Sequence, residues 1–285
     1  MNYGIEVENL TKIYPNFKLD SVTFQVPQGS IMGLVGENGA GKTTTISAML
    51  NMIQTDSGEI RIMGKKMTDE DVELREEIGV VFDTVNFSPE LTACRLSKVF
   101  SEIYKNWDER GYRERLEQLK IPSDKKIGKF SRGMTMKLSI AVALSHGAKF
   151  LILDEATSGL DPIVREEILD LFLEFVEDEK RTVLISSHIT SDLEKVADYI
   201  TFMHQGKVVL VERKDILIYE YGIARCRERE FMELEKTEYL AYRKRGLQTD
   251  VLVSDRKKFQ ARHSQILVDQ AGIDEIMLLI VKGER

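Results

Sequence analysis

A glycine-rich segment that ends in lysine and threonine carries the clearest chemistry in this sequence. It has the form Gly36-x-x-x-x-Gly41-Lys42-Thr43, and it lies between an apolar run at 31–35 and a helical pattern. A strand, a glycine-rich turn and a helix in this order direct backbone N–H groups, the helix dipole and the lysine ammonium at phosphate oxygens. An accidental glycine-rich turn would not require the flanking strand and helix. The expected nucleotide contacts in this segment are Gly36, Glu37, Asn38, Gly39, Ala40, Gly41, Lys42, Thr43 and Thr44.

Two acidic residues end a second apolar run. Asp154 and Glu155 follow the run at 150–153, and carboxylates at the carboxyl end of a parallel strand lie in the ligand crevice of an open α/β sheet. In-line phosphoryl transfer needs charge neutralisation and an oriented nucleophile, so we predict that Asp154 holds Mg²⁺ and that Glu155 polarises the attacking water. The alternative is a strand that merely leaves the core. The phosphate-binding segment disfavours it.

A histidine closes the next predicted strand. His188 follows Ile185-Ser186-Ser187, which places it at the same sheet edge and within reach of a γ-phosphate. A histidine in such a position is more often a structural hydrogen-bonding group, and that alternative stays open. The other histidines, His146, His204 and His263, are interpreted as structural.

The elements that position these residues alternate between strand and helix. Apolar residues alternate with polar ones before residue 27, which predicts a half-buried antiparallel sheet, and helical patterns dominate from 91 to 144. The fold class is therefore α/β: a mainly parallel sheet of the P-loop NTPase type, an antiparallel β subdomain and a helical insertion at about 88–147. We predict a nucleotide-binding domain at 1–212 and a small C-terminal α/β appendage at 213–285.

Charge and hydropathy exclude several classes of protein. The 285 residues include 47 acidic and 40 basic side chains, and the two signs are interspersed, which argues against a nucleic-acid partner. The first residues lack the basic and apolar regions of a signal peptide. The apolar runs are shorter than the roughly 18 residues that cross a bilayer. We expect any membrane association to come through a partner.

One further segment makes the prediction more specific. Phe130-Ser131-Arg132-Gly133-Met134 precedes a helix, and it resembles the LSGGQ segment of the nucleotide-binding subunits of ABC transporters. Ser131 and Gly133 match that pattern, whereas Arg132 and Met134 depart from it. The resemblance implies that this segment contacts the γ-phosphate held by the opposite subunit, so that ATP lies between two subunits. Without the resemblance, Ser131 would simply be a helix cap, and a free helix start also suits an anion.

Three further positions support the same resemblance. Asp161 lies in Ser158-Gly159-Leu160-Asp161, which is similar to the inter-subunit loop of the family. Tyr14 matches the aromatic residue that stacks on adenine, although an ordinary strand aromatic is the alternative. Asp83 stands where the family usually has a metal-reaching glutamine. It is shorter and charged, so we expect it to bind the metal directly or through water, with altered permease coupling and slow hydrolysis.

The resemblance covers about residues 1–212 and implies an ATP-binding and ATP-hydrolysing subunit at the cytoplasmic face of the cell membrane. It also implies a second ATPase subunit, in a homodimer or a heterodimer, and a separately encoded permease. Residues 273–284 are similar to the tails of exporter subunits, which favours export. The implied cofactors are ATP and Mg²⁺. The implied catalytic residues are Glu155, His188 and Lys42, and the implied metal ligands are Thr43, Asp83 and Asp154.

Two other functions remain as alternatives. A soluble ABC-type ATPase that acts on ribosomes or DNA usually has two nucleotide domains or a long coiled coil, whereas this sequence has one phosphate-binding segment and no sustained heptad run. A P-loop kinase would not explain the segment at Ser131 or the residue Asp161.

Overall fold

The computed structural model describes residues 2–68, 71–84 and 87–284, which form three sheets and a set of helices. The strands are β1 (Tyr3–Tyr14), β2 (Phe17–Pro27), β3 (Ile31–Val35), β4 (Ser57–Ile62), β5 (Lys65–Lys66), β6 (Ile78–Phe82), β7 (Phe150–Asp154), β8 (Thr182–Ser187), β9 (Tyr199–His204), β10 (Lys207–Arg213), β11 (Gly222–Arg227), β12 (Ala241–Arg245), β13 (Gln248–Val253) and β14 (Leu267–Gln270). The helices are α1 (Lys42–Met49), α2 (Val72–Glu76), α3 (Ala93–Ile103), α4 (Glu109–Gln118), α5 (Arg132–Ala143), α6 (Pro162–Val176), α7 (Thr190–Val196), α8 (Lys214–Tyr219), α9 (Glu228–Met232), α10 (Arg256–Arg262) and α11 (Ile273–Lys282).

The central sheet has the strand order β10-β9-β3-β8-β7-β6. Its strands are parallel from β9 to β6, and β10 joins the edge as an antiparallel hairpin. Strands β3, β7 and β8 are buried at every position, as expected when both faces of a parallel sheet are covered. Their side chains alternate between two cores: Ile31 and Leu151 face one, and Met32 and Ile152 face the other. This architecture confirms the predicted fold class.

A second sheet, with the order β2-β1-β4-β5, is antiparallel and covers the face on which α1 lies. Helix α1 ends at Met49. Asn51 has a φ of 54°, in the left-handed region, and this conformation stops the helix. The turn brings the chain back to the antiparallel sheet through β4.

Helices α3, α4 and α5 lie between β6 and β7, where the sequence predicts the helical insertion. Each of them begins at a side-chain cap, from Thr92, Asp108 and Ser131 respectively. Tyr112 is fully buried among them, and its hydroxyl donates to the Ala93 carbonyl at 3.0 Å. These contacts join the inserted helices into the main core.

The C-terminal residues form a third sheet, with the order β12-β13-β11-β14. Helix α8 follows β10 without an intervening linker. One face of the sheet has a small core of its own that includes Cys226 and Phe259, while Ile273, Ile276 and Leu279 of α11 enter the core beneath the central sheet. Within the described residues, no helix is long and apolar enough to cross a membrane.

Candidate nucleotide-binding site

The glycine-rich loop joins β3 to α1, and its glycines are required by close packing and by backbone geometry. A Cβ atom on Gly36 would lie 2.5 Å from the Met203 carbonyl oxygen. Gly41 has a φ of 108°, and a Cβ there would lie 2.6 Å from Cδ2 of Leu19. By contrast, apart from Gly39 and its two neighbours in the chain, no atom of the residues that the structure describes lies within 4 Å of the Cβ position of Gly39. The loop is therefore packed on its inner side and open where backbone N–H groups can receive an anion.

Lys42 begins α1 and points back across this loop. Its side chain is 6% exposed, and its ammonium donates to the Gly36 carbonyl at 2.8 Å. The same Nζ atom lies 3.4 Å from Oε1 of Glu155. Because Gly41 provides no side-chain cap, the first N–H groups of α1 remain available to a ligand. Thr43 is exposed and Thr44 is half-buried at this helix start.

The two predicted carboxylates lie at the end of β7. Asp154 is buried and accepts a hydrogen bond from the Ser186 hydroxyl at 2.5 Å. Glu155 has a φ of 53°, an unfavourable region for a side chain of this kind, and its N–H donates to the Ser186 carbonyl at 3.1 Å. Ser186 thus holds the Asp154 carboxylate and the Glu155 backbone, a role that strand alternation alone does not signal.

Glu155 lies between a lysine and a histidine. Its Oε2 atom is 2.6 Å from Nδ1 of His188, and Oε1 faces Lys42. Among the described residues the buried Oε1 atom has no hydrogen-bond partner, because the approach of Lys42 is close but poorly aligned. An unsatisfied carboxylate oxygen in such a place has an open position for a proton donor. The structure therefore brings Lys42, Glu155 and His188 together.

The predicted adenine contact lies at the end of the β1–β2 hairpin. Tyr14 is 38% exposed, and its ring centroid is 6.5 Å from that of Phe17. Phe17 itself packs against the loop, since its Cζ atom lies 3.0 Å from the Cβ position of Gly41. His204, interpreted from the sequence as structural, also reaches the loop and lies 3.0 Å from Oε1 of Glu37. Sequence patterns give no signal for the placement of Phe17 or His204.

The residues that resemble the inter-subunit segments lie at helix starts. Ser131 caps α5 and accepts from the Met134 N–H at 3.2 Å, while Asp161 caps α6 and accepts from the Val164 N–H at 3.1 Å. A Cβ on Gly133 would lie 3.4 Å from Val164. In this chain these residues therefore shape two helix starts.

Asp83 pairs with Arg132. It follows β6, and Phe82 beside it is in register with Asp154, so Asp83 lies at the same sheet edge as the carboxylates. Its carboxylate forms an ion pair with the Arg132 guanidinium. Arg132, which departs from the LSGGQ pattern, is thus in direct contact with Asp83, which replaces the usual glutamine.

A P-loop fold with carboxylates beside the loop lysine defines a class of protein that binds a nucleotide and acts on its phosphates. The profile of the family described as ABC transporter matches residues 19–158. The bacitracin transport ATP-binding protein BcrA of Bacillus licheniformis is 38% identical over 212 residues, which cover 73% of this chain and 69% of that protein. The lantibiotic transport ATP-binding protein SrtF of Streptococcus pyogenes is 33% identical over 214 residues, 74% of this chain and 91% of that protein.

Solved structures agree with these relatives. A structure described as the ATP binding subunit of an ABC transporter has a TM-score of 0.66 and 28% identity, and the match covers 75% of this chain and 91% of that one. The chain belongs to the family of ABC transporter ATP-binding subunits. It is an ATPase that binds nucleotide and energises transport, and the alternative of a soluble ATPase acting on ribosomes or DNA is not favoured.

Proposed function

We propose that two ATPase subunits, of which this chain is one, close around ATP and Mg²⁺ at the cytoplasmic face of the membrane and drive a separately encoded permease. The single observation that carries this proposal is Glu155, held between Lys42 and His188 with one buried oxygen that has no hydrogen bond among the described residues. A carboxylate in this position is equipped to accept a proton from an attacking water molecule. The same oxygen faces the lysine that the loop directs at phosphate.

The loop residues fit a nucleoside triphosphate. The open side at Gly39 and the uncapped start of α1 supply N–H donors, and Lys42 supplies a positive charge. The residues assigned to phosphate contact are Gly36, Glu37, Asn38, Gly39, Ala40, Gly41, Lys42, Thr43 and Thr44. Tyr14, exposed beside Phe17, is assigned to the adenine ring.

The oxygen donors near the loop fit Mg²⁺. Thr43, Asp83 and Asp154 provide a hydroxyl and two carboxylates, which are the hard ligands that this ion prefers. Within the described part of the chain, no group of three or more His, Cys, Asp or Glu residues is arranged to hold a metal ion. Mg²⁺ usually completes its shell with water and substrate phosphates, so a sparse protein shell suits it. When bound, it neutralises charge on the transferred phosphoryl group.

Within the active site each residue has a separate task. Glu155 accepts the proton of the attacking water, and His188 orients the Glu155 carboxylate through the bond from Nδ1. Lys42 stabilises the charge that develops on the γ-phosphate. We assign Ser131, Gly133 and Asp161 to the site of the opposite subunit, since each lies at a helix start where anions are favoured.

The transport direction and the domain limits are part of the same proposal. The resemblance of residues 273–284 to exporter tails supports export. The relatives named for bacitracin and lantibiotic transport make those molecules the first cargoes to test. We propose a nucleotide-binding domain at 1–212 and a C-terminal accessory segment at 213–285, because β11 to β14 form a sheet of their own after β10.

The substitution Glu155→Gln tests the function. We expect retained ATP binding, a loss of turnover by about 10² to 10⁴, and an ATP-dependent dimer that is stable in size-exclusion chromatography. Glu174→Gln, on the exposed side of α6, is the matched control and keeps full turnover. Intact phosphate release in Glu155→Gln would remove Glu155 as the base. Recovery of the wild-type chain with ribosomes rather than with a permease would support the alternative function.

A further inference from the structure

The ion pair between Asp83 and Arg132 joins two segments that serve different nucleotide sites under the proposed function. The partners lie 49 residues apart in sequence, and Nη2 of Arg132 donates to Oδ1 of Asp83. Asp83 lies at the sheet edge of the chain's own phosphate loop, one residue beyond the position in register with Asp154. Arg132 is the first residue of α5, next to Ser131. One side chain thus belongs to the chain's own site, and the other to the site of the opposite subunit.

A third loop is part of this contact. Gly159 has a φ of 67°, and its Cβ position lies 3.1 Å from both Cζ and Nη1 of Arg132. The missing side chain therefore leaves room for the guanidinium group. Arg132 contacts the loop after β6 and the loop that leads to Asp161 at the same time. The three segments therefore meet at Arg132.

Electrostatics favour this pair. A positive charge at the start of a helix opposes the helix dipole, and α5 has no acidic residue in its first turn. Asp83 supplies the missing negative charge from outside the helix. A helix start and an arginine together form a typical binding site for phosphate, and here the Asp83 carboxylate lies in that site.

The ion pair between Asp83 and Arg132 is weak enough for either side chain to change its partner. The two side chains are 51% and 47% exposed, and an exposed pair of this kind shifts an equilibrium by up to about five-fold. That effect is too small to hold the fold together. It is large enough to bias the affinity of a site, and a metal ion or a phosphate can replace either partner.

We propose that Asp83 and Arg132 exchange partners when ATP binds, so that the pair links the two sites of a dimer. Before binding, the two side chains neutralise each other. In the ATP-bound dimer Asp83 binds the Mg²⁺ of its own site, and Arg132 contacts the phosphate held by the opposite subunit. The inference rests on the proposed function, because the second contact requires a dimer.

The first test is the affinity of the monomeric chain for ATP with Mg²⁺, measured in dilute solution by fluorescence of a labelled ATP. Arg132→Gln frees Asp83, so we expect ATP to bind up to about five-fold more tightly, although a positive charge has been removed. The gain disappears in EDTA and in the double variant with Asp83→Asn. Lys129→Gln removes a neighbouring exposed charge and serves as the control without a gain. An unchanged affinity in Arg132→Gln, or a gain that persists with Asp83→Asn, would overturn the proposal.

The second test is dimer formation with ATP in the Glu155→Gln background. Arg132→Gln removes the contact with the opposite phosphate, so we expect weaker dimerisation by sedimentation, and Arg132→Lys restores part of it. Opposite signs for monomer affinity and for dimerisation distinguish the exchange from simple loss of structure. Dimerisation as strong as that of the parent would contradict the proposal. If Glu155→Gln itself forms no dimer with ATP, the proposed function fails, while the monomer affinities still report on the pair.

Discussion

The nucleotide site and the C-terminal sheet both concentrate charge, but they treat it differently. In the C-terminal sheet, Arg225 binds Asp250 and Asp269 at 2.8 Å and approaches Glu275 at 3.6 Å. Asp250 is 3% exposed and also pairs with Arg245 at 3.1 Å. In the nucleotide site, one buried oxygen of Glu155 has no hydrogen bond to any described residue and lies 3.4 Å from the Lys42 ammonium. Charges that are fully paired within the chain stabilise a fold, whereas charges with an open position are available to a ligand.

The pKa of Arg225 shows the effect of complete pairing. Burial lowers the pKa of this guanidinium, but hydrogen bonds to Asp269 and Asp250 outweigh it and raise the pKa above its ordinary value. The pairing therefore favours the charged form of a group that is already charged near neutral pH.

The largest expected effect sharpens this contrast. Arg225→Leu leaves the buried Asp250 with the exposed Arg245 as its remaining charged partner, beside a hydrogen bond from the Gln248 amide. Breaking a buried pair costs about 3–5 kcal/mol, and we expect a loss near the lower end of that range because Arg245 remains. We expect urea denaturation to occur at clearly lower urea concentrations, with ATP affinity unchanged at low urea. A matched change at an exposed arginine, Arg110→Leu, has little effect on unfolding. A large loss of ATP affinity in Arg225→Leu would show that the two regions are not separable.

The second largest expected effect is on ATP affinity in the nucleotide site. Lys42→Ala removes a charged donor from the phosphate loop, and hydrogen bonds to charged groups contribute about 1.5–3 kcal/mol, or roughly 10- to 150-fold in affinity. We expect ATP to bind weakly by equilibrium dialysis. Lys149→Ala, a surface lysine paired with Glu77, is the control that binds ATP normally. Normal ATP affinity in Lys42→Ala would remove the loop from the assigned site.

The smallest expected effect is on the pH dependence of the unfolding free energy, and it comes from Glu238 in the C-terminal segment. The hydrogen bond from His263 lowers the pKa of Glu238 below 4.5, so the folded chain binds fewer protons at this group than the unfolded chain. Its stabilisation is present above pH 4.5 and is lost as the pH falls through the lower, folded pKa. In Glu238→Gln the loss of unfolding free energy between pH 6 and pH 3 is smaller, by under about 1 kcal/mol. An identical pH profile in the two proteins would contradict this assignment.

The sequence predicts the nucleotide site better than it predicts the charge network. The loop at Gly36 and the carboxylates after β7 are local patterns, since each depends on one strand end and the residues next to it. The contacts of Arg225 and the pairing of Asp83 with Arg132 join residues far apart in sequence. They depend on strand register and helix placement. The spacing of apolar residues along the sequence, every two residues in a strand or every 3.6 in a helix, predicts neither of these. His204 beside Glu37 escaped prediction for the same reason.

The placement of α11 has a consequence for synthesis. Its residues Ile273, Ile276 and Leu279 complete the core that β3 and β8 share, yet they are translated long after the phosphate loop. Domains usually fold as units in the order in which they are made. We therefore expect the apolar face of the central sheet that α11 covers to stay exposed until α11 has been synthesised. We expect this interval to be the time at which the chain is most exposed to aggregation and to proteases.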